Sequence, residues 1–247
     1  MSWLIANWDT VWPIIIQHAM LSVVPTVLGL VIALPLGMLL VGRPRGRAVA
    51  IVVASIVFTI PSLALFVVIP SIVGTPIISP LNVVIALTLY STALLIRTVL
   101  ESLDAVPADV KDASSAIGYS SIKRVIEVEL PLAIPVLVAG LRVVAVTNVS
   151  LVSVGAVIGV GGLGQLFTAG FQRDYPDQIF AGIITILVLA FIFDRIIALI
   201  GVATTPWLRS GRVKAKRAAR RTPNERTETA MLDTVIGLDS PEKKANV

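Results

Sequence analysis

No cysteine occurs in the chain, and only one histidine, His18. The first absence excludes disulfides and thiolate-held metal. The two together leave almost nothing from which to build a nucleophile–base pair or a zinc site, and neither G-x-S-x-G nor H-E-x-x-H occurs. No catalytic residue, metal or cofactor is therefore expected. Charge is scarce too. Only 14% of the residues are charged against 56% apolar, whereas soluble domains carry about 25% charged residues. Residues 48–96 hold not one charged side chain, and about 20 residues suffice to cross a bilayer. A net charge of +5 could suit nucleic acid. The basic residues instead stand at the ends of apolar runs, as membrane topology requires, so no nucleic-acid partner is expected.

What is present reads as an all-α membrane protein of five spans. Residues 1–17 carry Trp3, Trp8 and Trp12 with Asp9 as their only charge, which suits an interfacial segment with rings at headgroup level. No removable signal peptide is expected there. His18 is expected at a wetted membrane edge. The first span is placed at 20–41, with kinks at Pro25 and Pro35. A loop with Arg43, Arg45 and Arg47 follows. The uncharged run then divides into spans at 48–69 and 81–96, with the breakers of 70–80 between them. A polar interval at 97–131 separates these from the fourth span. There Arg142 predicts a helix rising through the interface over 132–142, with the crossing proper at 143–160, because arginine at mid-bilayer is costly and at the edge can snorkel. The last span is placed at 179–200, with Asp194-Arg195 a self-neutralised pair near its inner end.

Lysine and arginine counts orient these spans. The loop after the first span holds three, the polar interval four (Arg97, Lys111, Lys123, Arg124) and the tail from Arg209 ten, against one, Arg173, on the other side. The positive-inside rule places both loops and the C-terminus in the cytoplasm and the N-terminus outside. Residues 1–208 form the membrane domain. Residues 209–247 form a cytoplasmic tail whose first part is basic enough to hold anionic lipid and whose remainder has a disordered composition.

The polar interval is the organising feature. Its most charged part, 109–129, carries seven acidic or basic side chains. Its punctuation predicts two short helices. Pro107 starts the first and Gly118, in a left-handed conformation, ends it. Ser120 or Ser121 caps the second, Lys123 and Glu127 pair across one turn, and Pro131 closes it. Such a helix–Gly–helix elbow between spans is a lever for a cytoplasmic partner. Within the spans, Thr147, Asn148, Ser150 and Ser153 on the fourth and Thr59, Pro61 and Ser62 on the second interrupt the apolar surface. They either pack helices through small and hydrogen-bonding side chains or line a passage between two copies. The run GVGGLG at 159–164 lacks the lysine of a phosphate loop, so any nucleotide acts on another subunit.

The elbow's spacing resembles a family. Asp112-Ala113-Ser114, Gly118, Val128 and Leu130-Pro131 fall at the positions of the Glu-Ala-Ala…Gly…Ile-x-Leu-Pro loop of bacterial ABC-importer permeases, with Asp for Glu, Ser for Ala and Val for Ile. Thr59-Ile60-Pro61-Ser62-Leu63-Ala64-Leu65 and Ile158 to Gly164 are similar to the permeases of osmoprotectant importers. So is the start of the first span, with His18, Ser22, Gly29 and Pro35-Leu36-Gly37. The match runs over about 18–206. The resemblance implies a type I ABC importer permease fold in the bacterial inner membrane and a coupling loop at 101–131. It further implies partners: a cytoplasmic ABC ATPase dimer, a second permease (copy or paralogue) and an extracytoplasmic solute-binding protein. The solute would be glycine betaine, choline, carnitine or proline betaine. A methionine or other amino-acid permease is the alternative, and a non-transporting membrane anchor is the reading from another class.

Overall fold

The computed structural model describes residues 2–207; the tail expected from residue 209 lies outside the described residues. The helices in chain order are α1 (Ser2–Ala6), α2 (Trp8–Leu39), α3 (Pro44–Thr59), α4 (Ser62–Val73), α5 (Pro80–Asp104), α6 (Ala108–Ala116), α7 (Ser121–Arg124), α8 (Leu130–Gly155), α9 (Gly164–Gln172) and α10 (Pro176–Thr204). A π turn, Val125–Glu129, joins α7 to α8, and a 3-10 turn, Ala156–Ile158, ends α8. Three continuous apolar helices of crossing length are α2, α5 and α10, and the stretch Ser121–Ile158 is the fourth. Together α3 and α4 make a fifth, bent by 99°. Four of the five apolar crossings expected from the sequence are thus present as helices of crossing length, and the bent α3–α4 pair occupies the place of the fifth.

The centre of the bundle is α5, which buries Val83, Leu87, Ser91, Leu95 and Val99 at four-residue steps. Against them α2 sets Gly29, Ala33 and Gly37, again four apart and all buried. The backbones approach so closely that a Cβ on Gly29 would lie 3.0 Å from the Ser91 carbonyl carbon, and one on Gly37 would run into the Val99 side chain. Lipid gives apolar side chains no solvophobic reason to associate. Close backbone packing through small residues is what replaces it.

Several boundaries differ from the sequence reading, each for a visible reason. Helix α2 starts at Trp8 rather than at residue 20, so residues 8–17 are its first turns and not a separate segment. At 32 residues it is about 48 Å long and overreaches a hydrocarbon core of about 30 Å. The span expected at 48–69 is broken because Pro61 has no N–H to offer Val57. The Ile60 N–H turns back to the Val57 carbonyl at 3.3 Å, and the orphaned Ile60 carbonyl accepts the hydroxyl of Tyr90 on α5. The fourth span is one continuous helix from Leu130 to Gly155, with Arg142 in its middle turns and no break before 143. Arg97, counted with the polar interval, lies inside α5, which runs on to Asp104. Pro131 closes nothing. It sits in the first turn of α8, where its missing N–H is harmless, and the π turn before it keeps the chain helical from Ser121 to Ile158.

Candidate functional site

At one end of the bundle the elbow is built as an interlocked unit. Helix α6 ends in paired reverse bonds, Tyr119 N–H to the Ser114 carbonyl at 3.1 Å and Gly118 N–H to the Ser115 carbonyl at 3.0 Å. This cap needs a left-handed residue at its corner, and Gly118 supplies φ +94°. Ser120 begins α7 with extended backbone but makes no side-chain cap. Lys123 and Glu127 pair at 3.9 Å, as the spacing predicted, and the Lys123 ammonium also sits 4.9 Å over the Tyr119 ring.

The residue that locks the elbow is one the sequence left on a surface helix. Glu129 is 1% exposed. Its Oε1 accepts from Arg124 Nε at 2.7 Å, and Lys111 Nζ of α6 stands 3.8 Å from Oε2. Arg124 also donates to Ser115 Oγ at 2.8 Å, and Lys111 donates to the Leu103 carbonyl of α5 at 2.9 Å. One buried carboxylate thereby holds both elbow arms and, through Lys111, the end of α5. Residues five apart stand on different faces of an α-helix. The wider π turn at Val125–Glu129 brings Arg124 and Glu129 together, in keeping with the habit of such turns to occur at functional sites. A carboxylate buried with two cations and further hydrogen bonds is a rigid joint, since removing either side leaves a charge unpaired.

Of the motif residues, Asp112, Ala113 and Gly118 are exposed, Val128, Leu130 and Pro131 half-buried, and Ser114 buried with its hydroxyl donating to the Lys111 carbonyl at 2.8 Å. The exposed surface also carries large apolar side chains. Ile117 is 77% and Ile122 75% exposed, with Ile126 beside them in chain order of the second arm. A cleft of about 390 Å³ lined by Pro35, Met38, Ile122, Val125 and Ile126 separates this arm from the end of α2. Isoleucines inside the charged interval between the spans were the signal that could have marked this face.

The path candidates part company. Asn148 points into the protomer, where its amide donates to Thr26 Oγ1 of α2 and Ser91 Oγ of α5, both at 2.7 Å. It ties three helices and lines no passage within the chain. Thr147 bonds back to the Val143 carbonyl at 2.8 Å, Ser150 is exposed, and the Ser153 hydroxyl is buried without a hydrogen-bond partner. Thr59 and Pro61 are exposed and Ser62 half-exposed, at the break between α3 and α4.

At the far end of the bundle the glycine run is clasped by two neighbours on α2. Gln17 accepts from Gly162 N–H at 3.1 Å and donates to the Val160 carbonyl at 3.3 Å. His18, expected at a wet edge, is wholly buried. Its Nδ1 takes the Leu163 N–H at 3.0 Å, so the ring is neutral and Nε2–H donates to the Val149 carbonyl at 2.9 Å. Gly162, at φ +76°, passes so close that a Cβ would lie 3.0 Å from His18 Nδ1. Among the described residues no group of acidic, histidine or cysteine side chains could hold a metal.

Comparison with known proteins gives a consistent picture. Residues 25–204 match the family described as binding-protein-dependent transport system inner membrane component. The chain is 34% identical over 193 residues to the osmoprotectant import permease protein OsmW of Salmonella typhimurium, covering 77% of this chain and 89% of that one. It is 29% identical over 190 residues to the glycine betaine/carnitine/choline transport system permease protein OpuCB of Bacillus subtilis, covering 77% and 86%. Among solved structures it resembles an inward-facing MetNI methionine ABC transporter with TM-score 0.70 and 27% identity, covering 83% of this chain and 98% of that one.

Proposed function

The chain belongs to the family of binding-protein-dependent transport system inner membrane components, and from that premise we propose that it is the multi-pass permease subunit of an ABC importer for compatible solutes. The solute is a small quaternary-ammonium compound: glycine betaine, choline, carnitine or proline betaine. The relatives named for such solutes support this class. The observation that carries the mechanism is the elbow: a lever locked by Glu129, joined to α5 and α8, with large apolar side chains on its exposed surface.

The subunit is not itself an enzyme. ATP is hydrolysed by a cytoplasmic ATPase dimer that grips the elbow at Asp112, Ala113, Ser114, Gly118, Val128, Leu130 and Pro131, with Ile117, Ile122 and Ile126 filling its groove. A rigid joint transmits displacement, whereas a loose loop would absorb it. Two permeases, identical or paralogous, enclose the passage. An external binding protein delivers the solute, and lipid covers the remaining apolar faces. Thr59, Pro61, Ser62, Thr147, Ser150 and Ser153 stay candidates for the passage lining. Residues 1–208 form the permease domain and 209–247 a basic cytoplasmic tail.

Uptake into vesicles holding the whole complex is expected to require both ATP and the binding protein, and to be competed by carnitine or choline but not by methionine. Competition by methionine alone would replace this reading with the amino-acid permease that the resemblance to the methionine transporter allows. ATP-independent behaviour with no uptake would leave only an anchor.

Topology is a second expectation. Arg43, Arg45 and Arg47, the elbow lysines and arginine, and the ten basic residues of the tail all belong to one side of the membrane. A reporter fused before Met1 should be active outside and one fused after Val247 inside. Cytoplasmic activity at the N-terminus would overturn the five-crossing reading.

A further inference from the structure

Arg97 holds a position no motif explains. It lies in α5, seven residues before Asp104, which pairs with Arg47 at the elbow end of α3. Its side chain is exposed, and Nη2 donates to Ser55 Oγ of α3 at 3.0 Å. The two contacts, 47 with 104 and 55 with 97, follow one antiparallel register. Ser55 lies about 12 Å along α3 from Arg47, and Arg97 about 10 Å along α5 from Asp104. The guanidinium thus turns to α3 about two turns from the Arg47–Asp104 pair.

A cation at that depth faces a partner, water or a prohibitive cost. Among the described residues Arg97 makes no ion pair, and its hydrogen-bond partner is a neutral hydroxyl. Ser55 is also part of an open groove of about 370 Å³ that continues through Ile56, Thr59 and Ile60 to the break before Pro61. An arginine fork with N–H groups to spare on an open face is matched to a carboxylate; the Ser55 and Thr59 hydroxyls donate back to the Ile51 and Ser55 carbonyls, so the guanidinium supplies the donors. A lipid phosphate offers the same anionic chemistry, and loss of betaine uptake with choline uptake kept is what distinguishes a solute carboxylate from it. Asp194, the acid within the last span, already holds Arg142 and Arg195.

We propose that Arg97, steadied by Ser55, forms a carboxylate-recognition point on the passage, selecting zwitterionic betaines over cationic choline. The proposal rests on the compatible-solute reading above and names which members of that class are favoured.

The test uses the complete complex, with ATPase and binding protein, in proteoliposomes. Arg97→Gln should lower glycine betaine uptake about tenfold while leaving choline uptake equal or higher, since a like charge on the path is removed. The chain has no native cysteine, so Arg97→Cys gives this subunit a unique thiol. A water-soluble cationic aminoethyl thiosulfonate should label it during ATP turnover and restore betaine uptake, and a neutral methyl thiosulfonate should label without restoring. Equal loss of both solutes in Arg97→Gln, wild-type betaine uptake, or a thiol closed to the cationic reagent would each overturn the proposal, the last by showing Arg97 packed against another subunit. If the wild-type complex moved neither solute, the compatible-solute reading would fall. The labelling would still report whether position 97 faces a water-filled passage, and a closed thiol would sink the recognition point independently.

Discussion

Gly118→Asp and Gly118→Val are expected to insert in the membrane at wild-type levels and yet lose solute uptake. The cause is backbone, not space. At φ +94° the residue occupies a region that a Cβ disfavours, while nothing lies within 4 Å of where that Cβ would go. The strain is about 1–2 kcal/mol, which shifts the population of the native elbow about 5- to 30-fold. The spans do not share this cost, because they are held by close packing of α2 on α5 and by lipid. Relaxing the turn breaks the paired bonds from Tyr119 and Gly118 to α6 and re-aims the second arm, with Ile122 and Ile126, relative to the first.

Two outcomes follow from that geometry. The ATPase should either detach from the membrane or hydrolyse ATP without moving solute. The matched control is Ser114→Ala. Its hydroxyl only bonds back to the Lys111 carbonyl, which Ser115 Oγ also reaches at 2.9 Å, so uptake should be unchanged. Wild-type uptake in Gly118→Asp at equal abundance, read by solute flux beside a blot of the membrane fraction, would show that the elbow transmits nothing and return the protein to the anchor reading.

The elbow's turn was legible because a left-handed corner has few acceptable residues, and Gly118 stands at the one position where a helix starting at Pro107 has to stop. The same reasoning reached the Lys123–Glu127 pair, whose residues are four apart. It failed at Glu129 because the relevant spacing is five, which only a π turn makes neighbours. The break at Pro61 was hidden for a different reason. A proline within an apolar run is compatible with a kinked single span, and the choice here falls to Tyr90, thirty residues away, whose hydroxyl takes the Ile60 carbonyl. His18 was misplaced at a wet edge because its partners, the backbone of Val149 and Leu163, carry no side-chain signature. Local chemistry was readable; partners that meet only in the fold were not.

Asp194 is the sharpest case of that limit, and it carries the second large effect. Its sequence neighbour Arg195 suggested a self-contained pair. In the fold its chief partner is Arg142 of α8, 52 residues distant, in a two-pronged contact of 2.6 and 2.9 Å, with Arg195 Nη2 at 2.6 Å besides. One carboxylate therefore compensates two arginines within apolar helices, and fixes α10 against α8. Asp194→Leu leaves both cations without an acid in a medium that penalises them, so the amount of protein in the membrane should fall several-fold. Arg142→Met should do less harm, because Asp194 keeps Arg195. The decisive variant is the double change, Asp194→Leu with Arg142→Met. It removes the more enclosed cation along with the acid and leaves only Arg195, which is exposed and lies against the Phe191 ring. Abundance should recover well above that of Asp194→Leu alone, since replacing both members of an enclosed ion pair by apolar groups is far gentler than orphaning one. If Asp194→Leu accumulated like the wild type, or the double variant fared no better than the single, the contact would not be what seats α10 on α8. The apolar packing of the two helices, Leu189 with Val149 and Gly201 against Val138, would then have to do it.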